Sequence, residues 1–169
     1  RVDLGGLLQV GPSSAGADPG PACYGQGGKN VTVTDANLVV GRLPVETRFS
    51  GGMKLDFEKA LAVVEDLAGG LGLSLTQAAQ GVLEIVNNMM VQALKEISIE
   101  RGIDPTDFTL VPFGGCGGLH CCYLAEALSI RAILIPASAG VLSAVGMTVA
   151  KPGRKLSRSL RKKSEDCSD

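Results

Sequence analysis

Several chemistry-bearing residue types meet in one short stretch of this chain. Gly114-Gly115-Cys116-Gly117-Gly118-Leu119-His120-Cys121-Cys122 holds four glycines in five residues, the only histidine and three of the five cysteines. A β-prone run, Phe108-Thr109-Leu110-Val111, enters it, and a helix-like run from Leu119 to Leu128 leaves it. A strand that breaks into a glycine turn and continues as a helix aims backbone N–H groups at one point. Such a point suits a phosphate or the edge of a nucleotide, although the same turn also serves close packing of strand on helix. His120 falls in the first turn of the helix, where a histidine acts either as a cap or packing residue or as part of a site. The cysteines are odd in number and form no CxxC pair, so neither a disulfide framework nor a zinc site is indicated. Cys116 or Cys121 as a nucleophile lacks a second histidine to act as its base.

A second pair of candidates is Asp35 and Asn37. Val31-Thr32-Val33 reads as a short β-branched strand, which sets Asp35 and Asn37 at a strand end, where α/β folds place their chemistry. Equally, Thr34 or Asp35 caps a short helix that runs to Gly41. Both readings stay open on pattern alone.

The elements that must position these residues follow in order. Residues 11–25 are rich in glycine and proline and cannot form a regular element; the length of this loop favours function over linkage. Asp56 starts a helix with Phe57, Leu61, Val64 and Leu67 on one face, ended by Gly69-Gly70. Ser74 with Gln77 three residues on resembles a capping box. The helix after it runs to about Arg101, with an apolar stripe from Ala79 to Ile97 interrupted by Asn87 and Asn88. That polar pair either hydrogen-bonds inside the fold or faces a cleft. A strand over 108–112, the glycine turn, its helix, a strand over 132–136 and a final helix from Val141 to Val149 complete an α/β layer.

A chain of 169 residues, 45% hydrophobic, is long enough for one well-buried domain. Aromatics are only 4% and tryptophan is absent, which argues against an aromatic-stacking nucleic-acid surface. No apolar run reaches membrane-spanning length and the first residues lack a signal-peptide pattern, so the chain reads as soluble and cytoplasmic. Residues 151–169 carry seven basic and three acidic residues and read as a solvated, disordered tail.

Four segments resemble one family. Residues 10–25, ending Asp18-Pro19-Gly20-Pro21-Ala22-Cys23-Tyr24-Gly25, are similar to the signature loop of the hydantoinase A/5-oxoprolinase family. So are Thr32-Val33-Thr34-Asp35-Ala36-Asn37-Leu38-Val39-Val40-Gly41-Arg42-Leu43, Ser98-Ile99-Glu100-Arg101-Gly102-Ile103-Asp104-Pro105 and Phe113-Gly114-Gly115-Cys116-Gly117-Gly118-Leu119-His120. The resemblance spans about residues 2–150. It implies an actin-like, sugar-kinase-like ATPase fold and ATP-driven opening of a cyclic amide such as 5-oxoproline or a hydantoin. Ring amides are poor electrophiles, and phosphorylating the amide oxygen makes it a leaving group. By resemblance, Gly114, Gly115, Gly117 and Gly118 form the adenosine-side motif. Asp35, with Asn37 in support, polarises metal, water or amide, and His120 is a ligand or proton-transfer group. ATP and Mg²⁺ are the implied cofactors, with Asp35 and His120 as candidate metal residues. The implied partners are a hydantoinase B-type subunit or domain and a second copy of the chain, with no nucleic acid and no membrane.

The chain departs from the family in two ways. Where many hydantoinase-type members have Ala-Gly-Pro-Leu-His-Ala, it has Cys116-Gly117-Gly118-Leu119-His120-Cys121, which leaves the ring open between substrate types. No Asp-x-Gly-Gly-Thr phosphate loop occurs in the chain. Residues 1–150 therefore read as the C-terminal part of a hydantoinase A/oxoprolinase domain truncated at its N-terminus. Two functions compete: a subunit of an ATP-dependent cyclic amidase, or a non-catalytic module that keeps fold and interface alone.

Overall fold

Helix starts are set by side chains that satisfy the free N–H groups of a first turn, and three such starts define the helical half of this chain. In the computed structural model, which describes residues 1–153 except Leu4, Thr47, Phe49 and Pro152, Thr32 caps helix α1 (Val33–Val39). Its hydroxyl accepts from the Asp35 N–H, and the Asp35 carboxylate accepts from the Thr32 N–H, a reciprocal capping box. The expected strand over Val31-Thr32-Val33 is thereby corrected. The β-branched residues open a helix because the Thr-x-x-Asp spacing satisfies two backbone donors, the Asp35 N–H and the Thr32 N–H, and the cap is Thr32 rather than Thr34 or Asp35.

Helix α2 (Phe57–Leu71) starts at Asp56, which accepts from the Lys59 N–H and also pairs with the Lys59 ammonium at 3.1 Å. The Lys59 N–H, first, and the nearby ammonium hold the Asp56 carboxyl below its usual range. Gly69 and Gly70 do not end this helix, as the sequence led us to expect. It passes through them to Leu71 and stops at Gly72 in the left-handed conformation. Helix α3 (Leu75–Ile97) begins at the expected Ser74–Gln77 capping box. It yields to a 3₁₀ turn over Ile99–Arg101, short of a continuous helix to Arg101.

Helices α1, α2 and α3 pack on one another. Their shared core is built of small residues, Ala36, Ala68, Ala78 and Ala79, with Val64, Val82 and Leu83. Alanines at the contacts let the helix axes approach closely. At 23 residues α3 is about 34 Å long, so its first half belongs to this core and its second half reaches elsewhere. There Val91 packs with Leu124 and Leu128, fixing helix α4 (Cys121–Ala127).

Strands β1 (Thr109–Leu110) and β2 (Ala132–Ile133) pair in parallel, Thr109 opposite Ala132 and Leu110 opposite Ile133. Both are shorter than the runs 108–112 and 132–136 led us to expect. Pro112 and Pro136 have no N–H to give a ladder, and no third strand flanks the pair among the described residues. The fold is α/β but mostly helical. Helix α5 (Leu142–Val149) follows a 3₁₀ turn and leaves Met147 and Val149 more than three-quarters exposed. No described helix is long and apolar enough to cross a membrane. The basic tail of the sequence lies almost wholly outside the described residues.

Residues 11–28 close on themselves. The Gly20 N–H bonds the Ala15 carbonyl, Gly20 takes a φ of +68°, and a Cβ there would stand 2.8 Å from the Ala17 oxygen. A Cβ at Gly28 would strike the Gly20 carbonyl and lie 2.9 Å from the Pro21 carbonyl carbon. Gly28→Ala is therefore expected to destabilise the chain by about 2 kcal/mol or more. Gly69→Ala, which meets open space in helix α2, should stabilise it by roughly 0.5–1 kcal/mol. Urea denaturation of the two variants checks the contrast.

Candidate functional site

Asp35 has no accessible surface, so each of its lone pairs must find a protein donor. Cys23 N–H reaches Oδ1 at 2.8 Å. Oδ2 accepts from Thr32 Oγ1 at 2.7 Å, Thr32 N–H at 2.9 Å and Ala22 N–H at 3.3 Å. The carboxylate thus pins the 3₁₀ turn Ala22–Tyr24, the end of the glycine-proline loop, to the start of α1. Burial and the adjacent Asp35 carboxylate push the Cys23 thiol far up, so it stays protonated. Helical capping accounts for Asp35, and the strand-end alternative falls with the strand.

Asn37 is also buried, two residues along α1. Its Nδ2 donates to the Val33 carbonyl at 2.9 Å, and its Oδ1 is the buried side-chain oxygen without a partner among the described residues.

His120 is almost as deeply buried, at 3% exposure. Its Nδ1 meets Asn87 Oδ1 of α3 at 2.7 Å. Tyr123, one turn on, donates its hydroxyl to Asn88 Oδ1 at 2.9 Å. The two asparagines that interrupt the apolar stripe of α3 therefore tie down the start of α4. Burial, and then the charge of Arg42, hold the His120 pKa below its ordinary value near 6.5.

The glycine turn itself is hydrogen-bonded at its edges and empty at its centre. Gly114 N–H bonds the Ala139 carbonyl at 2.8 Å, and Cys121 Sγ–H donates to the Gly118 carbonyl at 3.1 Å. Burial raises the Cys121 pKa, which together with that bond favours the thiol over the nucleophilic thiolate. Gly114 has a φ of +86°, which requires glycine. Among the described residues, and apart from each glycine's own chain neighbours, no atom lies within 4 Å of where a Cβ would stand on Gly114, Gly115 or Gly118. Packing within the chain therefore does not explain three of these glycines. Gly117–Leu119 form a 3₁₀ turn rather than the start of α4, so the turn does not run straight into a helix N-terminus.

Beside α1 lies a cavity of about 500 Å³, lined by Gln9, Ser13, Ser14, Tyr24, Asn30 and Thr34 among others. Burial raises the Tyr24 pKa, and its neighbours Cys23, Cys116 and Asp35 raise it further. Cys116 of the glycine turn is thus within electrostatic reach of a residue in the cavity wall. Tyr24 and Arg42 both lay inside the quoted motifs, but neither type nor spacing singled them out. Only the fold sets Arg42 near His120 and Tyr24 near Cys116.

Asp35 and His120 are not brought together as metal ligands. Their donor atoms serve separate hydrogen-bond networks, and among the described residues no group of three or more His, Cys, Asp or Glu is placed to hold a metal ion.

Residues 1–155 match the Hydantoinase/oxoprolinase family. This chain belongs to that family. Caprolactamase subunit alpha of Pseudomonas jessenii is 45% identical over 151 residues, covering 89% of this chain and 22% of that protein. A crystal structure of ATP-dependent caprolactamase from the same organism superposes with a TM-score of 0.80 at 45% identity, over 86% of this chain and 21% of that one. 5-Oxoprolinase PfmaA of Pestalotiopsis fici is 39% identical over 86% of this chain and 12% of its own length. A nucleotide-free acetone carboxylase structure, titled for ATP-dependent acetone carboxylation, superposes with a TM-score of 0.82 at 30% identity, over 89% of this chain and 21% of that one. The chain spans about a fifth or less of these relatives. The caprolactamase and the acetone carboxylase are described as ATP-dependent, and the caprolactamase chain is named as a subunit.

Two outcomes test the site's electrostatics. Asp35→Asn turns an NH₂ group toward backbone donors and should cost about 3 kcal/mol or more in urea unfolding. For His120 the folded pKa is the lower one, so the unfolded state binds more protons as pH falls. Its contribution is full above about pH 6.5 and is lost as pH drops through the folded pKa. Unfolding measured between about pH 7.5 and pH 5 should show this loss in the wild type, and His120→Gln should flatten it.

Proposed function

We propose that this chain supplies the nucleotide side and the amide side of the cleft in an ATP-dependent cyclic amide hydrolase of actin-like ATPase fold. The observation that carries this is the open glycine turn. Gly114, Gly115 and Gly118 lack side chains where the described residues beyond their chain neighbours have nothing to pack against them, which leaves room for a ligand to approach the backbone. The strand, glycine turn and helix accordingly receive the adenosine end of ATP, with Gly117 as part of the same turn. Bound there, ATP supplies the phosphoryl group that activates the amide oxygen.

The chain's own residues do the remaining work in this proposal. His120 holds or accepts a proton at its ring, buried at the foot of the glycine turn. Asn37 Oδ1, buried and without a partner among the described residues, keeps an acceptor in reserve behind the cavity wall in this reading. Asp35 acts by fixing the Ala22–Tyr24 turn, which presents Tyr24 to the cavity. A cavity of about 500 Å³ suits a small ring, and its Ser, Thr and Asn side chains match the donor and acceptor of a ring amide. The ring is a small lactam, 5-oxoproline or hydantoin, and the subunit naming of caprolactamase alpha supports a hydantoinase B-type partner. A cytoplasmic location fits this assignment.

A second function, a non-catalytic module that keeps fold and interface, is favoured by one observation. No Asp-x-Gly-Gly-Thr phosphate loop occurs in the 169 residues. The purified chain is accordingly expected to hydrolyse no ATP by itself.

The main proposal is tested in an intact family enzyme by substituting the residue corresponding to Gly118 with Val. KM for ATP should rise about tenfold or more with the fold retained, and unchanged ATP kinetics would sink the nucleotide assignment. Loss of ATP-dependent ring opening is expected for His120→Ala. The exposed Leu134, Ile135, Met147 and Val149 predict self-association of the 17.4 kDa chain. A compact monomer on gel filtration would count against it.

A further inference from the structure

A buried imidazole has two nitrogens, and the partner of one decides the chemistry of the other. His120 Nδ1 sits 2.7 Å from Asn87 Oδ1 in a site where both residues are nearly inaccessible. An amide oxygen only accepts, so the proton of this bond belongs to Nδ1. No protein group among the described residues bonds Nε2, which is the ring atom that keeps some contact with solvent. A free imidazole prefers its proton on Nε2, so the contact with α3 reverses the ordinary tautomer.

The surroundings favour the neutral ring, for which the question of tautomer has meaning. Burial and Arg42 both oppose the imidazolium, and the described residues place no carboxylate in hydrogen bond with the ring. The ring is also held in orientation. Tyr123 lies three residues on from His120, on the same face of the helix start, and its hydroxyl bonds Asn88, the neighbour of Asn87. Two adjacent amides of one helix thus grip two groups of another, and rotation of the ring would break the shorter of the two bonds.

We propose that Asn87 is a positioning residue for His120: its Oδ1 fixes the Nδ1–H tautomer and leaves Nε2 as the proton-accepting atom. This rests on the proposed role of His120 for its catalytic meaning, and on the geometry alone for the tautomer. Asn87 does not touch substrate or nucleotide here; it acts through the histidine. Asn88 shares the task by bonding Tyr123 and so fixing the start of α4.

The chain has one histidine, so ¹⁵N-imidazole-labelled protein gives a single ring in a long-range ¹H–¹⁵N spectrum. At neutral pH the wild type should show a protonated-type Nδ1 and an unprotonated-type Nε2. Asn87→Leu should move the ring toward the Nε2–H form, and Asn87→Asp, which still accepts, should keep Nδ1–H. A wild-type ring protonated at Nε2, or an unchanged spectrum in folded Asn87→Leu, would overturn the proposal. Should Asn87→Leu fail to fold, the wild-type and Asn87→Asp spectra still decide. In an intact family enzyme, Asn87→Leu should lower kcat about 10–100-fold with KM for ATP unchanged, and Asn87→Asp should restore part of it. An Nδ1–H spectrum beside a fully active His120→Ala enzyme would remove the catalytic role of His120 and leave the tautomer assignment standing.

Discussion

A carboxylate with no accessible surface is tolerable only where donors surround it, and the Asp35 carboxylate accepts four hydrogen bonds from three residues. Those residues come from two segments that sequence alone does not join: the end of the glycine-proline loop and the cap of α1. The loop has little side-chain volume to pack, so its path depends on backbone N–H groups finding acceptors. Asp35 supplies them. Once Ala22 and Cys23 are fixed, Cys23 fills the small cluster with Leu38, Leu55 and Ala60, and the Cys23 carbonyl accepts from the Asp56 N–H at the start of α2. The order of α1, the loop and α2 thus follows from one buried anion.

Helix α3 does for the other half what Asp35 does for the first. Its N-terminal half is buried through alanines and valines, and its C-terminal half holds α4 through Val91. Between them stand Asn87 and Asn88. An apolar residue in place of the buried Asn87 would leave His120 Nδ1–H without an acceptor, which in a buried site costs more than the hydrogen bond returns, whereas Asn88 meets Tyr123 at the surface. The polar interruption of the stripe marks the place where the helix stops serving the core and starts serving the glycine turn.

Much of this was legible in the residues. The Ser74–Gln77 box, the Asp56 start, the long helix and the strand–turn–helix unit follow from local chemistry, and the family follows from four motifs in series. The misread parts share a cause. Thr32 looked like strand because β-branching is a weaker signal than the reciprocal bond it makes with Asp35, and that bond depends on the loop arriving to bury the carboxylate. Gly69-Gly70 looked like a stop because glycine is a poor helix former, yet a helix already held by Val64 and Ala68 tolerates two exposed glycines near its end. Strand length was overread because pairing needs neighbours, and a run of residues does not say how many it has. Asp35 and His120 carry the right atoms for a metal, and in this fold Asp35 bonds Ala22, Cys23 and Thr32 while His120 Nδ1 bonds Asn87.

The candidate site and the core are therefore positioned by different physics. Apolar packing is strong in sum and insensitive to small displacements; hydrogen bonds add little net energy each but fix direction. Around the glycine turn apolar contact is scarce, since Gly114, Gly115 and Gly118 present no side chains and α5 leaves its apolar residues exposed. Besides its own 3₁₀ bonds, four polar contacts hold the turn among the described residues: Gly114 to Ala139, Cys121 to Gly118, His120 to Asn87 and Tyr123 to Asn88. Two of the four end on α3. The turn is consequently open where a ligand would approach and directionally fixed where it meets the helix, which is the arrangement that lets backbone groups recognise a ligand without collapsing onto the space left for it.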